Sequence, residues 1–233
     1  MGYYNYTKNN LISILFIFPF FLMYEVLAFF LFDSSDYVIR NSADIVLRDF
    51  LSILTQNTFL SYNNILLIFI FLYIVYNFNK NIYRFKISYI FFMFLEGILF
   101  GFILVIILNG FSFLNYKYSY FLYDYTFMFY SCLGAGIWEE ILFRLILLNI
   151  LLFGTKKILN YNTSLIISVL LSSFLFSLFH YIGSSGDVFM LYTFIVRFAG
   201  GIFLSILYLY RGLGISMISH IIYDFILVTI PVF

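Results

Sequence analysis

The stretch from Leu11 to Phe32 holds a single charged side chain, Glu25, and apolar stretches of similar length recur to the end of the chain. A helix needs about 20 apolar residues to cross a hydrocarbon core of about 30 Å. Such stretches lie at roughly 11–32, 60–78, 87–113, 126–153, 163–182, 188–210 and 214–233. They predict an all-α, polytopic membrane helix bundle of about seven transmembrane helices. Composition agrees: 64% of residues are hydrophobic, 24% aromatic and 10% charged, where a soluble domain carries about a quarter charged. A net charge of +1, with no Lys/Arg cluster, gives no field to hold nucleic acid. The partners implied are the lipid bilayer and molecules bound to it. Nothing in the sequence sets an oligomeric state.

The first stretch is too long for a signal-peptide core and no small-residue cleavage site follows it, so it reads as a retained span, with Pro19 expected to kink it. Residues 41–58 intersperse Ile45, Leu47, Phe50, Leu51, Ile53 and Leu54 with Asp44, Arg48 and Asp49, as an amphipathic helix lying along the membrane would. The aromatic segment 116–125, with Lys117 and Asp124, suits the headgroup zone. No repeat or Pro-rich linker divides the chain. It reads as one integral membrane domain, with N-terminal spans and interfacial segments in 1–125 and the polar chemistry in 126–233. Cys132, alone, can form no intrachain disulfide and reads as a small packed residue.

Loop charge suggests an orientation. Lys8, Lys80, Arg84, Lys86, Lys156, Lys157 and Arg211 fall on one side of a seven-span topology and Arg40, Arg48 and Lys117 on the other, which places the N-terminus in the cytoplasm. Depth complicates this assignment. The rise from Lys157 to His180 is about 34 Å on a helix, while that from Arg211 to His220 is about 13 Å. If the two histidines meet, one of these helices starts deeper, tilts or is broken.

The chemistry lies where ionisable groups enter apolar stretches. Glu139, Glu140 and Arg144 sit within 126–153, and each such group costs roughly 2.5–3.5 kcal/mol to insert unless paired or hydrated. Glu140 and Arg144 are four apart, on one helical face, and are expected to pair. Glu139 points elsewhere and is left as a candidate general base toward water. The only histidines, His180 and His220, are also in apolar segments, and Asp224 follows His220 by four, close enough to orient its ring. On separate spans these groups have no partner in lipid except one another or enclosed water. Glu25, Glu96 and Arg197 are expected to face the bundle interior, as structural pairs or along a substrate route. The small residues Gly134, Ala135 and Gly136, and Ala199, Gly200 and Gly201, permit close helix contact. Trp138 reads as a packing or interface residue.

Glu139-Glu140-x-x-x-Arg144, then Phe176-x-x-x-His180, then His220-x-x-x-Asp224 resemble, in order and spacing, the three motifs of the CPBP intramembrane proteases, which include the type II CAAX prenyl endopeptidases and bacterial Abi proteins. Phe198-Ala199-Gly200-Gly201 through Tyr208-Leu209-Tyr210-Arg211-Gly212-Leu213 resembles the family's connection before the last motif. The resemblance covers roughly residues 130–228. It implies a bundle enclosing a water-containing cavity and hydrolysis of a peptide bond in a membrane protein or lipidated peptide. Glu139 with His180 would activate water, His220 with Asp224 would stabilise the oxyanion, and Glu140 and Arg144 would support the site. Two positions depart from the pattern. Asp224 stands where the prenyl-protein branch usually has Asn, and Leu145 where many relatives have Gly.

Zinc is the cofactor to weigh, and Glu139, His180 and His220 would be its ligands. No His-Glu-x-x-His sequence is present, and the resemblance favours a glutamate-dependent enzyme without metal. A different class of reading is a non-catalytic membrane immunity or scaffold protein that keeps the polar cluster for packing. Proton-coupled transport also uses buried Glu and His, but no broken-helix pair or inverted repeat supports it. Enrichment in Asn, Ile, Phe, Tyr and Lys suggests an AT-rich genome; in a bacterium the membrane would be the cytoplasmic one.

Overall fold

A computed structural model describes residues 2–32, 39–55, 86–109, 125–183 and 186–229, and all regular elements among them are helical. They are α1 (Tyr3–Thr7), α2 (Asn10–Phe32), α3 (Ser42–Thr55), α4 (Ile87–Asn109), α5 (Tyr125–Gly134), a π-helical stretch (Ala135–Leu148), α6 (Asn149–Thr155), α7 (Tyr161–Phe179), α8 (Leu191–Arg211) and α9 (Leu213–Thr229). Four of them are long and apolar enough to cross a membrane: Asn10–Phe32, Ile87–Leu108, Tyr161–Phe179 and Leu191–Arg211. Helix α9 is apolar but shorter. The expected span at 60–78 and nearly all of segment 116–125 lie outside the described residues.

Local sequence sets several helix starts. Asn9 Oδ1 accepts from the backbone N–H of Leu11 (2.9 Å) and Ile12 (3.3 Å), Asn41 Oδ1 from Ala43 (2.9 Å) and Asn160 Oδ1 from Thr163 (2.9 Å). Each satisfies donors that the first turn leaves open. Pro19 lies inside α2, which continues past it.

Helix α9 is the centre of the bundle. Every residue from Leu213 to Ile221 is buried, and the helix packs on α4, the π-helical stretch and α8. Gly136 is one reason it can come so close: a Cβ there would meet the Ile221 side chain and lie 3.0 Å from the Ile221 backbone nitrogen.

The depth difficulty posed by the histidines resolves at the α8–α9 turn. Arg211, counted from sequence as a loop charge, is instead bound bidentately by Glu96 (2.5 and 2.7 Å), nine residues along α4 from Ile87 and about 13 Å along its axis. The turn therefore lies within the bundle, and α9 starts deep. Helix α1 closes over it. Tyr3 Oη donates to Glu96 (2.7 Å), and the Arg211 guanidinium lies 5.2 Å from the rings of both Tyr3 and Tyr4. Burial and the Glu96 carboxylate push the Tyr3 phenol up, so it remains a donor.

Helix α3 follows the first span as expected, with its polar side turned inward. Asp44 is fully buried while Ile45, Val46 and Phe50 are exposed. Asp44 accepts from Tyr24 Oη (3.1 Å), Arg40 (3.2 Å) and Arg48 (2.7 Å), and both arginines also reach Glu25. Four charges thus tie α3 to the end of α2. Glu25, Glu96 and Arg197 all engage in ion pairs, Arg197 with Asp187.

Gly212 has φ +87° and ψ 172°, a region essentially reserved for glycine, and a Cβ there would lie 2.5 Å from the Thr7 carbonyl oxygen. Gly212→Ala is expected to destabilise the protein by about 1–3 kcal/mol. Gly154→Ala, in open space, is expected to be neutral or slightly stabilising. Thermal unfolding in detergent checks both.

Candidate active site

The rod from α5 to α6 carries Glu139, Glu140 and Arg144 in its π-helical part, a geometry rare in proteins and frequent at functional sites. The sequence pattern implied ordinary α-helical turns here. Residues four apart nevertheless stay on one side, and Glu140 Oε1 meets Arg144 Nη1 at 2.9 Å with both side chains fully buried. A neighbouring helix takes up one polar group of the rod, Ser172 Oγ on α7 donating to the Phe143 carbonyl (2.8 Å), and within the rod Asn149 Nδ2 donates to Leu145 O (2.8 Å).

Glu140 is an organising centre. Ser216 Oγ donates to its Oε2 (2.6 Å), and His220 Nδ1 lies 2.9 Å from its Oε1. The carboxylate is acceptor-only when ionised, so the imidazole proton facing it is Nδ1–H. Arg144 lies 4.3 Å over the Phe176 ring and donates to Gly201 O (3.5 Å). Phe176 in turn has both imidazoles at its edge, His180 at 5.0 Å and His220 at 6.0 Å between centroids.

Glu139 points to a different side. Its Oε1 accepts from Asn41 Nδ2 (2.9 Å). Its Oε2 is buried, makes no hydrogen bond among the described residues, and faces His180 Nε2 at 3.9 Å and His220 Nε2 at 4.0 Å. His180 caps the end of α7, and its Nδ1 lies 2.9 Å from the Phe176 carbonyl, which can only accept. Nε2 of that ring therefore holds a lone pair when neutral. Asp224 Oδ2 lies 3.5 Å from His220 Nε2. His180 and Asp224 are the partly open members, with 24% and 25% of their side chains accessible.

All six residues picked out from spacing thus converge. Asn41 was not foreseen. Its only sequence signal is a helix-capping residue before Ser42, which says nothing about a glutamate 98 positions away. Trp138 packs edge-on against Phe21 (5.9 Å) and Tyr24 (6.4 Å), and Cys132 is buried and unpaired by disulfide.

The donor types of Glu139, His180 and His220 would suit zinc, and their spacing is wider than a bound ion would set. Bonds of about 2.0–2.1 Å in a tetrahedron bring ligand atoms to about 3.3 Å, against the 3.9 and 4.0 Å seen here. Among the described residues no group of three or more His, Cys, Asp or Glu is placed to hold a metal ion.

Comparison with known families bears on the same segment of chain. The family model for type II CAAX prenyl endopeptidase Rce1-like proteins matches residues 121–226. This stretch is similar to the Rce1-like proteins. It contains all three motifs and every site residue except Asn41, and the family is one of proteases. The Rce1-like match and the four apolar helices make the chain an integral membrane protein. No curated protein and no solved structure matches it.

Removing Arg144 while Glu140 stays leaves an uncompensated buried charge. Arg144→Met is expected to destabilise by about 3–5 kcal/mol, and Glu140→Gln in the same chain to recover part of that loss. Unfolding midpoints of the two single variants, the double variant and wild type check the coupling.

Proposed function

We propose that the protein is an intramembrane endopeptidase in which Glu139 and His180 activate a water molecule against a peptide carbonyl while His220 stabilises the oxyanion. The observation that carries this reading is the convergence of Glu139 Oε2 with the Nε2 atoms of both histidines, at 3.9 and 4.0 Å. Glu139 Oε2 and the lone pair of His180 Nε2 are two acceptors, suited to the two hydrogens of one water. His220 differs. Its Nδ1–H is directed to Glu140, and a proton on Nε2 is favoured by Asp224 at 3.5 Å, which makes that N–H a donor toward developing negative charge.

The water oxygen bonds to the carbonyl carbon as its proton passes to Glu139. The oxyanion accepts from His220 Nε2–H. Collapse of the tetrahedral intermediate breaks the C–N bond, the leaving amine takes the proton from Glu139, and a carboxylic acid and an amine are released. Asp224 holds and charges His220, a role that does not require the amide donor usual in the prenyl-protein branch. Glu140, Arg144 and Ser216 fix the ring from its other nitrogen. No step uses a metal.

The Rce1-like match and the apolar helices around the site support a membrane-associated substrate, a membrane protein or a lipidated peptide. Purified protein in detergent is expected to cleave lipidated peptides in preference to unmodified ones. Glu139→Gln, His180→Ala and His220→Ala are each expected to lower kcat by at least about 100-fold with the unfolding midpoint retained, and a zinc chelator to leave the rate unchanged. Full activity in any of these variants removes that residue from the mechanism. Chelator-sensitive cleavage overturns the metal-free reading.

A further inference from the structure

We infer that Asn41, which precedes the Rce1-like stretch, is a positioning residue that holds the Glu139 carboxylate in one orientation, with an oxygen facing the two histidines. Its catalytic meaning rests on the protease reading above. The contact itself does not.

The Asn41 amide is held in one orientation by two different neighbours. Oδ1 is taken by the Ala43 N–H (2.9 Å) as the cap of α3, so the amide group that donates is the one facing Glu139 Oε1, also at 2.9 Å. The two distances are mutually supporting: rotating the amide by half a turn would place an oxygen against a carboxylate and an NH2 against a backbone N–H. The Asn41 backbone is secured as well. Its N–H reaches Tyr24 Oη (3.5 Å), Tyr24 donates to Asp44, and the adjacent Arg40 binds both Asp44 and Glu25. Gly134 supplies the space, since a Cβ there would lie 3.2 Å from that of Asn41.

With Oε1 engaged, Glu139 retains one oxygen, Oε2, without a hydrogen bond among the described residues, and that oxygen is the one aimed at His180 and His220. A carboxylate with both oxygens unrestrained would rotate about its terminal torsion, which is broad and nearly two-fold. Locking it matters because small misplacements of a reacting group have large rate costs. The ion network on α3 thereby acts on the site through one amide.

Asn41→Ser and Asn41→Asp separate positioning from folding, because both retain a good helix-capping acceptor. Serine is too short to make the same contact, and aspartate sets a second carboxylate against Glu139. In the full-length protein in detergent, each is expected to lower kcat roughly 10- to 100-fold, the scale of a lost hydrogen bond to a charged group, with KM within about twofold and an unfolding midpoint near wild type. The second readout needs no turnover: infrared carboxylate bands assigned to Glu139 by difference from Glu139→Gln are expected to shift in both variants. Unshifted bands overturn the inference whatever the activity. Shifted bands with wild-type kcat show a contact without catalytic positioning and also overturn it. Absence of cleavage by the wild-type protein would instead defeat the protease reading, while the infrared bands still decide whether Asn41 sets the Glu139 carboxylate.

Discussion

The buried pair of Glu140 and Arg144 is the interaction on which the rest of the site depends. Each side chain is fully buried, and neither charge could remain there alone without a penalty of several kcal/mol. Together they are tolerated, and together they organise their surroundings. Glu140 places His220 through its Nδ1 and α9 through Ser216, while Arg144 reaches the Gly201 carbonyl on α8 and covers Phe176 on α7. One ion pair therefore touches the three helices that follow the rod. A hydrophobic replacement of similar volume could stabilise the bundle, but it would give the histidine no fixed tautomer.

Around that pair the structure separates two carboxylates by environment. Glu140 is saturated by a cation, a hydroxyl and an imidazole. Glu139, one residue earlier, has one oxygen held by an amide and the other open toward two imidazoles. The difference comes from the rod, which turns the two side chains to different sides. Adjacent residues can then play separate parts, one supporting and one reacting, and the protease reading uses that division. The partial exposure of His180 and Asp224 gives the same cluster an open side.

The N-terminal half does more than anchor the chain. Glu25, Arg40, Asp44 and Arg48 join α2 to α3, and Tyr24 stacks at 4.7 Å on Tyr130 of the rod. Helix α3 was legible as an amphipathic segment, but its sense was not. A helix lying along the membrane turns its apolar side to lipid and its polar side to water, whereas in this helix the polar side meets the protein: Asp44 is buried while Phe50 is exposed. In an apolar solvent the polar face is the one that must find partners inside the protein. The same reversal explains Arg211: a lone basic residue after an apolar run reads as a loop charge, yet Glu96 draws it into the bundle.

Sequence alone determined the all-helical membrane class, because hydrocarbon leaves a long apolar chain little other choice, and it determined the six polar residues that meet, because ionisable groups in apolar stretches must answer one another. The pairing of Glu140 with Arg144 was legible too, since residues four apart share a helical face. Tertiary structure decided what local spacing does not encode: the π-helical winding of Ala135–Leu148, the deep start of α9, the inward polar side of α3 and the contact of Asn41 with Glu139. Each depends on groups far apart in the chain, whose partners are fixed only when the helices pack.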